Sequence, residues 1–148
     1  VTRVNLSELL KQDRIEEFES DVNQIKNEVK NADAKLQSAK NVLAINEWGL
    51  AHASAYNTML HAGRALMFSK GYRTKGMNHH ETVVLFVEAV FSPKFLDRKE
   101  ALTSFDKARK LRHDFTYDNA EMVSPTQAKT LVENAEAFVI RTKEILKM

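Results

Sequence analysis

Apolar side chains recur at spacings of three and four along Ile15, Phe18, Val22, Ile25, Val29, Ala32, Leu36, Ala39 and Val42. At 3.6 residues per turn such positions stay on one side of a helix, the seam that packs nearly antiparallel against neighbouring helices. Glu19, Lys26, Lys30 and Lys40 fall on the opposite, solvated face. The spacing predicts a long helix that opens in the charged stretch Asp13 to Glu17. Four glycines and two prolines in 148 residues are too few for the many tight turns of a sandwich or barrel, so the other elements are expected to be helices as well.

Local signals place the rest. Asn5 or Ser7 caps a short first helix, Glu8 to about Gln12. After a break at Asn46 and Glu47, a helix runs from Trp48 to about Ser69, its Ala51, Ala53, Ala55, Ala62, Gly63 and Ala65 allowing close approach, with Tyr56, Met59, Leu60, Leu66 and Met67 filling the space between. Gly71 suits the left-handed conformation that ends a helix. A basic loop, Tyr72 to Met77, is predicted next. Asn78 and Glu81 have the form of a capping box for a helix from His79 to Phe91. A fifth helix is expected from about Lys94 to His113. The sixth, Pro125 to Lys147, has Ser124 as N-cap, Pro125 in its first position and Gln127 in its third. The fold expected is all-α, an up-and-down bundle of four to five helices with a short extra helix at the N-terminus.

With 43% hydrophobic and 28% charged residues, the chain has the make-up of one globular domain spanning 1–148. A net charge of +2 neither demands nor excludes nucleic acid, so an anion-binding surface has to be local. Absence of cysteine rules out disulfides and thiolate metal sites, and points to a reducing compartment, with cytoplasm as the expectation. No apolar run approaches the roughly 20 residues that span a bilayer, and Val1 to Gln12 lacks a signal-peptide core. No membrane association is expected.

The segment Arg109 to Tyr117 carries the chemistry. On the fifth helix Ala101, Leu102, Phe105, Ala108, Leu111 and Phe115 define the apolar side, and Asp106, Lys107, Lys110 and Asp114 lie opposite. Arg112 falls near the centre of the apolar side, with Arg109 and His113 one turn apart on its border. A guanidinium aimed at a core is costly unless it meets a carboxylate, backbone carbonyls or a bound phosphate. Two answers stay open: an internal ion pair with Asp21, Asp33 or Glu88, or a site for a nucleotide or RNA phosphate.

The run Ala53 to Leu66, with its Tyr-x-x-Met-x-His-Ala-x-Arg-Ala pattern from Tyr56 to Ala65, resembles the second core helix of the HEPN (higher eukaryotes and prokaryotes nucleotide-binding) domains. Arg109-Lys110-Leu111-Arg112-His113-Asp114-Phe115-Thr116-Tyr117-Asp118 and the segment Ser124 to Leu146 are similar to the Arg-to-Tyr motif and last helix of the same family. The resemblance implies a homodimeric helical bundle that binds nucleotide or RNA, in many cases paired with a minimal nucleotidyltransferase as a toxin–antitoxin system. Catalytic members are metal-independent ribonucleases with an Arg, four to six residues, then a His. Acid-base help from that His and charge from the Arg on the transition state would be the chemistry. Here the residue that follows Arg112 after four intervening positions is Tyr117, and only three residues separate Arg109 from His113. The motif is therefore not intact. Arg109, Arg112 and His113 are the catalytic candidates, and Tyr117 is a residue that hydrogen-bonds across the bundle or stacks on a base.

Three further features have a structural and a functional reading. His79 and His80 point about 100° apart on a helix, so a metal site is not expected, and no cofactor is. Arg73 and Lys75, next to the start of the His79 helix, are candidates for a phosphate contact. His61 and Arg64, at i and i+3, are either a structural polar pair or an extension of the Arg112 site. The readings in play are a nucleotide- or RNA-binding module completed across a dimer, an active ribonuclease toxin, and a docking subunit in which Arg112 is an architectural ion pair. The first requires a solvent-reachable Arg112 with no internal carboxylate saturating it.

Overall fold

The computed structural model describes residues 3–117 and 122–148, with side chains for 3–112 and 122–148. In chain order the elements are α1 (Leu6–Lys11), β1 (Ile15–Glu17), α2 (Val22–Ala44), α3 (Trp48–Ser69), β2 (Tyr72–Thr74), α4 (His79–Phe91), a 3-10 turn (Ser92–Phe95), α5 (Lys99–Tyr117) and α6 (Pro125–Leu146). The fold is an all-α helical bundle, as expected, with one small two-stranded antiparallel sheet added.

Helix α3 is the axis of the bundle, touching α2, α4, α5, α6 and β2. Its small residues permit this, since Ala51, Ala55, Ala62 and Ala65 are buried and let four helices approach one cylinder. Gly63 is the tightest point: a Cβ there would lie 2.7 Å from Val83 Cγ1 on α4 and 3.3 Å from Phe105 Cε2 on α5. Gly63→Ala is expected to destabilise the protein by about 1–3 kcal/mol, because α4 and α5 must shift to make room. Urea unfolding at equilibrium reads this, and a neutral or stabilising result would mean that the helices separate at no cost.

Aromatic rings fill the layer between α3, α5 and α6. Phe105 lies 6.0 Å from Tyr56 and 5.4 Å from Phe138, and Phe138 lies 5.2 Å from Phe95, measured between ring centroids. All four are fully buried.

The seam helix begins later than its spacing predicts. Asp13 adopts φ 58°, the chain then extends, and Ile15 to Glu17 pair with Tyr72 to Thr74, with Glu16 opposite Arg73. Helix α2 starts at Val22, where Asp21 and Gln24 form a capping box. Ile15 in β1 and Phe18 just after it still bury apolar surface, Phe18 meeting Phe68 edge-on at 5.2 Å. Spacing alone could not separate these residues from the helical seam that follows. The same pairing corrects the basic loop, whose first three residues are β2.

Two other boundaries differ. Asn78 is left-handed at φ 59°, away from the extended backbone usual for an N-cap, and makes no side-chain cap, while the Glu81 carboxylate pairs with Arg14 at 2.6 Å. Ser92-Pro93 forms a 3-10 turn, so α5 begins at Lys99 rather than near Lys94. Helix α1 takes Asn5 as its cap and starts at Leu6. Gly71, at φ 80°, follows α3 as expected, and Ser124 with Gln127 caps α6.

Candidate anion-binding site

Tyr56 is fully buried on α3, so its hydroxyl needs a partner inside the protein. That partner is His80, the second residue of α4, whose Nδ1 lies 2.9 Å from the phenol oxygen. The contact depends on α4 lying close against α3, which Gly63 allows. Burial pushes the Tyr56 phenol up to about 12, against the opposing charges of Arg112, Arg109 and Arg64. Burial, then Arg112, Arg64, His79 and Arg109, hold His80 below the usual imidazole range. Near neutrality Tyr56 therefore donates its proton to a neutral His80, which fixes the imidazole proton on Nε2.

The Arg112 guanidinium lies 5.5 Å from the centre of the Tyr56 ring, a cation–π contact on a ring already clamped by Phe105. Arg64 stands two turns beyond Tyr56 on α3, within electrostatic reach of both Tyr56 and His80. The carboxylates proposed for Arg112 are engaged elsewhere: Asp21 caps α2, Asp33 meets Lys143 at 2.9 Å, and Glu88 meets Arg3 at 2.8 Å. Among the described residues, no carboxylate lies within ion-pair distance of Arg64 or Arg112. Arg112 is half-exposed.

Arg109 is placed differently. It meets Asp106 at 3.1 Å and Glu81 at 3.5 Å, and those acids are shared with Arg3, Lys110 and Arg14. Hydrogen bonding and charge from Arg14, with charge from Arg109 and Arg3, hold the Glu81 carboxyl low despite its partial burial. This network ties the N-terminal segment, α4 and α5 together, and it neutralises Arg109 while leaving Arg64 and Arg112 outside it. The sequence places Arg109 and Arg112 in one site, and the fold brings them to one region with different partners.

Other sequence candidates lie apart from this cluster. His61 turns to α2, where its Nδ1 is 2.7 Å from Glu28, so it does not extend the Arg112 site. Arg73 pairs with Glu16 at 2.8 Å and covers the Phe18 ring, and Lys75 pairs with Asp13 at 2.9 Å. These two cations pair across the two-stranded sheet and its continuation. His79 bonds back to Thr74 and Gly76. The side chains of His113 and Tyr117 lie outside the described residues. A cavity of about 220 Å³ over His52, walled by α5 and α6, includes none of the arginines.

Tyr56 and His80 are the site residues that sequence reasoning did not connect. The available signal was a tyrosine in an alanine-rich, wholly buried helix, since its hydroxyl has to find a polar partner. Nothing local identified that partner as a residue 24 positions away.

Among the described residues, no group of three or more His, Asp or Glu could hold a metal ion, and no helix is long and apolar enough to cross a membrane. The molecule is thus a helical-bundle module whose distinctive polar feature is a buried tyrosine bonded to a neutral histidine, with Arg112 over the tyrosine ring and Arg64 within electrostatic reach of both. The family model for the HEPN domain matches residues 25–145, and the chain belongs to that family. No curated protein matches the chain.

Proposed function

We propose that this HEPN protein is a nucleotide- or RNA-binding module whose phosphate ligands are Arg64 and Arg112. The observation that carries the reading is that these two guanidiniums have no carboxylate partner among the described residues, in a region where Arg3, Arg14 and Arg109 all do. A guanidinium free of internal acids can spend its fork of donors on a phosphate, and Tyr56 holds the Arg112 end of the site in place. Family membership supports the same ligand class.

Homodimerisation, a minimal nucleotidyltransferase partner in a toxin–antitoxin pair, and a cytoplasmic setting belong to this proposal, on the family resemblance. The docking-subunit reading gains nothing from the described residues, where Asp21, Asp33 and Glu88 are engaged away from Arg112.

Anisotropy of a labelled single-stranded RNA tests the proposal. Arg112→Ala is expected to weaken binding about tenfold, the loss of one charge-assisted hydrogen-bonding group. Arg73→Ala should change it less than about twofold, because Arg73 is already paired with Glu16. The reverse order would move the site to the two-stranded sheet.

A further inference from the structure

Arg64 and Arg112 supply two fixed positive charges, and His80 adds a third group that can become positive. Its Nδ1 is taken by the Tyr56 hydroxyl at 2.9 Å, while its Nε2 has no hydrogen-bond partner among the described residues. The ring is half-buried, so Nε2 can serve a ligand without being lost to bulk water. An internal phosphodiester carries a single negative charge and uses little of this capacity. A terminal phosphate monoester carries about −1.5 to −2 near neutrality and has three acceptor oxygens.

We propose that Arg64, Arg112 and the Tyr56-oriented His80 form a site for a terminal phosphate monoester, with His80 donating through Nε2 and, as the dianion docks, taking up a proton on Nδ1 while the Tyr56 hydroxyl turns from donor to acceptor. This rests on the phosphate-binding reading above and narrows its ligand class. The groups around His80 are Tyr56 and Arg64 on α3, His79 and Glu81 on α4, and Arg109, Arg112 and Asp106 on α5. Glu81 and Asp106 are spent on Arg109, Arg14, Arg3 and Lys110, so arginine charge dominates what His80 feels. In the free protein burial and those charges keep the ring neutral near pH 7. A docked dianion offsets the arginines and raises the tendency of His80 to hold a proton. The contribution of His80 protonation is lost as pH rises through its higher, ligand-bound pKa, and on the acid side it ends where the phosphate's own second ionisation, at about 6, removes the dianion.

Titration calorimetry at pH 7, in two buffers of different ionisation enthalpy, compares a 5′-phosphorylated RNA tetramer with the same tetramer ending in a 5′-hydroxyl. The phosphorylated tetramer is expected to bind about tenfold more tightly, with net proton uptake that the hydroxyl form lacks. His80→Asn should remove the uptake and cut the preference below about threefold, while Arg64→Ala weakens both ligands. Uridine 5′-monophosphate binding as tightly as the phosphorylated tetramer would assign the site to free nucleotides, and weaker binding would assign it to RNA ends. Equal affinity for the two tetramers without proton uptake would overturn this inference and leave the RNA-binding reading standing. Failure of both tetramers to bind would overturn both.

Discussion

Phe105→Ala is expected to lower the free energy of unfolding by about 3–5 kcal/mol, the usual cost of emptying a buried phenylalanine site. Phe105 is fully buried and touches both halves of the aromatic layer, Tyr56 on α3 and Phe138 on α6. Against a typical total stability of about 5–15 kcal/mol, a loss of this size leaves the protein marginal. Neighbouring helices cannot readily collapse into the gap, because α3 is braced on its other sides by α2 and α6. Phe105→Leu keeps much of the volume and should cost about 1.5 kcal/mol or less. Urea unfolding midpoints with the slope held common measure both. A loss below about 1.5 kcal/mol for the alanine variant would show that the aromatic layer does not hold α5 to α3. The same substitution removes the support behind Tyr56, so binding at Arg112 should weaken in parallel with stability.

Removing both arginines has the largest expected effect on binding. Hydrogen bonds to charged groups contribute about 1.5–3 kcal/mol each, so the pair Arg64→Ala/Arg112→Ala is expected to lose at least about a hundredfold in affinity for single-stranded RNA. Neither side chain has a carboxylate partner among the described residues, so no buried acid is stranded by the change, and the unfolding midpoint should stay close to that of the wild type. Arg109→Ala should behave in the opposite sense, because it leaves Asp106 and Glu81 with fewer cations. Comparing the two variants separates a binding arginine from an architectural one.

Much of the fold is written in local chemistry. The spacing from Val22 to Val42, the small residues of α3, Gly71 and the Ser124-Pro125-Gln127 cap each act through neighbours a few residues away, and each appears where the residues predict. The two-stranded sheet is not legible in this way. Its strands are far apart in the chain, and Ile15 and Phe18 happen to continue a helical spacing, so only tertiary pairing separates them from the seam. Asn78 and Glu81 also show the limit of a local pattern: the capping box has the right form, but Asn78 is left-handed and the Glu81 carboxylate pairs with Arg14.

The site divides along the same line. Arg112 stands out in the sequence because it interrupts an apolar face, and the structure places it over a buried ring. Arg64 and His61 look equivalent at i and i+3, yet the angle between them is enough to send His61 to Glu28 on α2 and Arg64 toward Tyr56 and His80. Tyr56 and His80 meet only once α4 closes on α3, which no spacing within either helix announces.

The central claim is that Arg64 and Arg112 take the phosphates of a bound nucleic acid. Its most direct test is the salt dependence of single-stranded RNA binding, plotted as log affinity against log salt for the wild type and the Arg64→Ala/Arg112→Ala variant. Each phosphate neutralised contributes a slope of about −0.7 on a single strand, so the variant should be shallower by about 1.4. A variant that binds RNA with the wild-type slope and affinity would contradict the account.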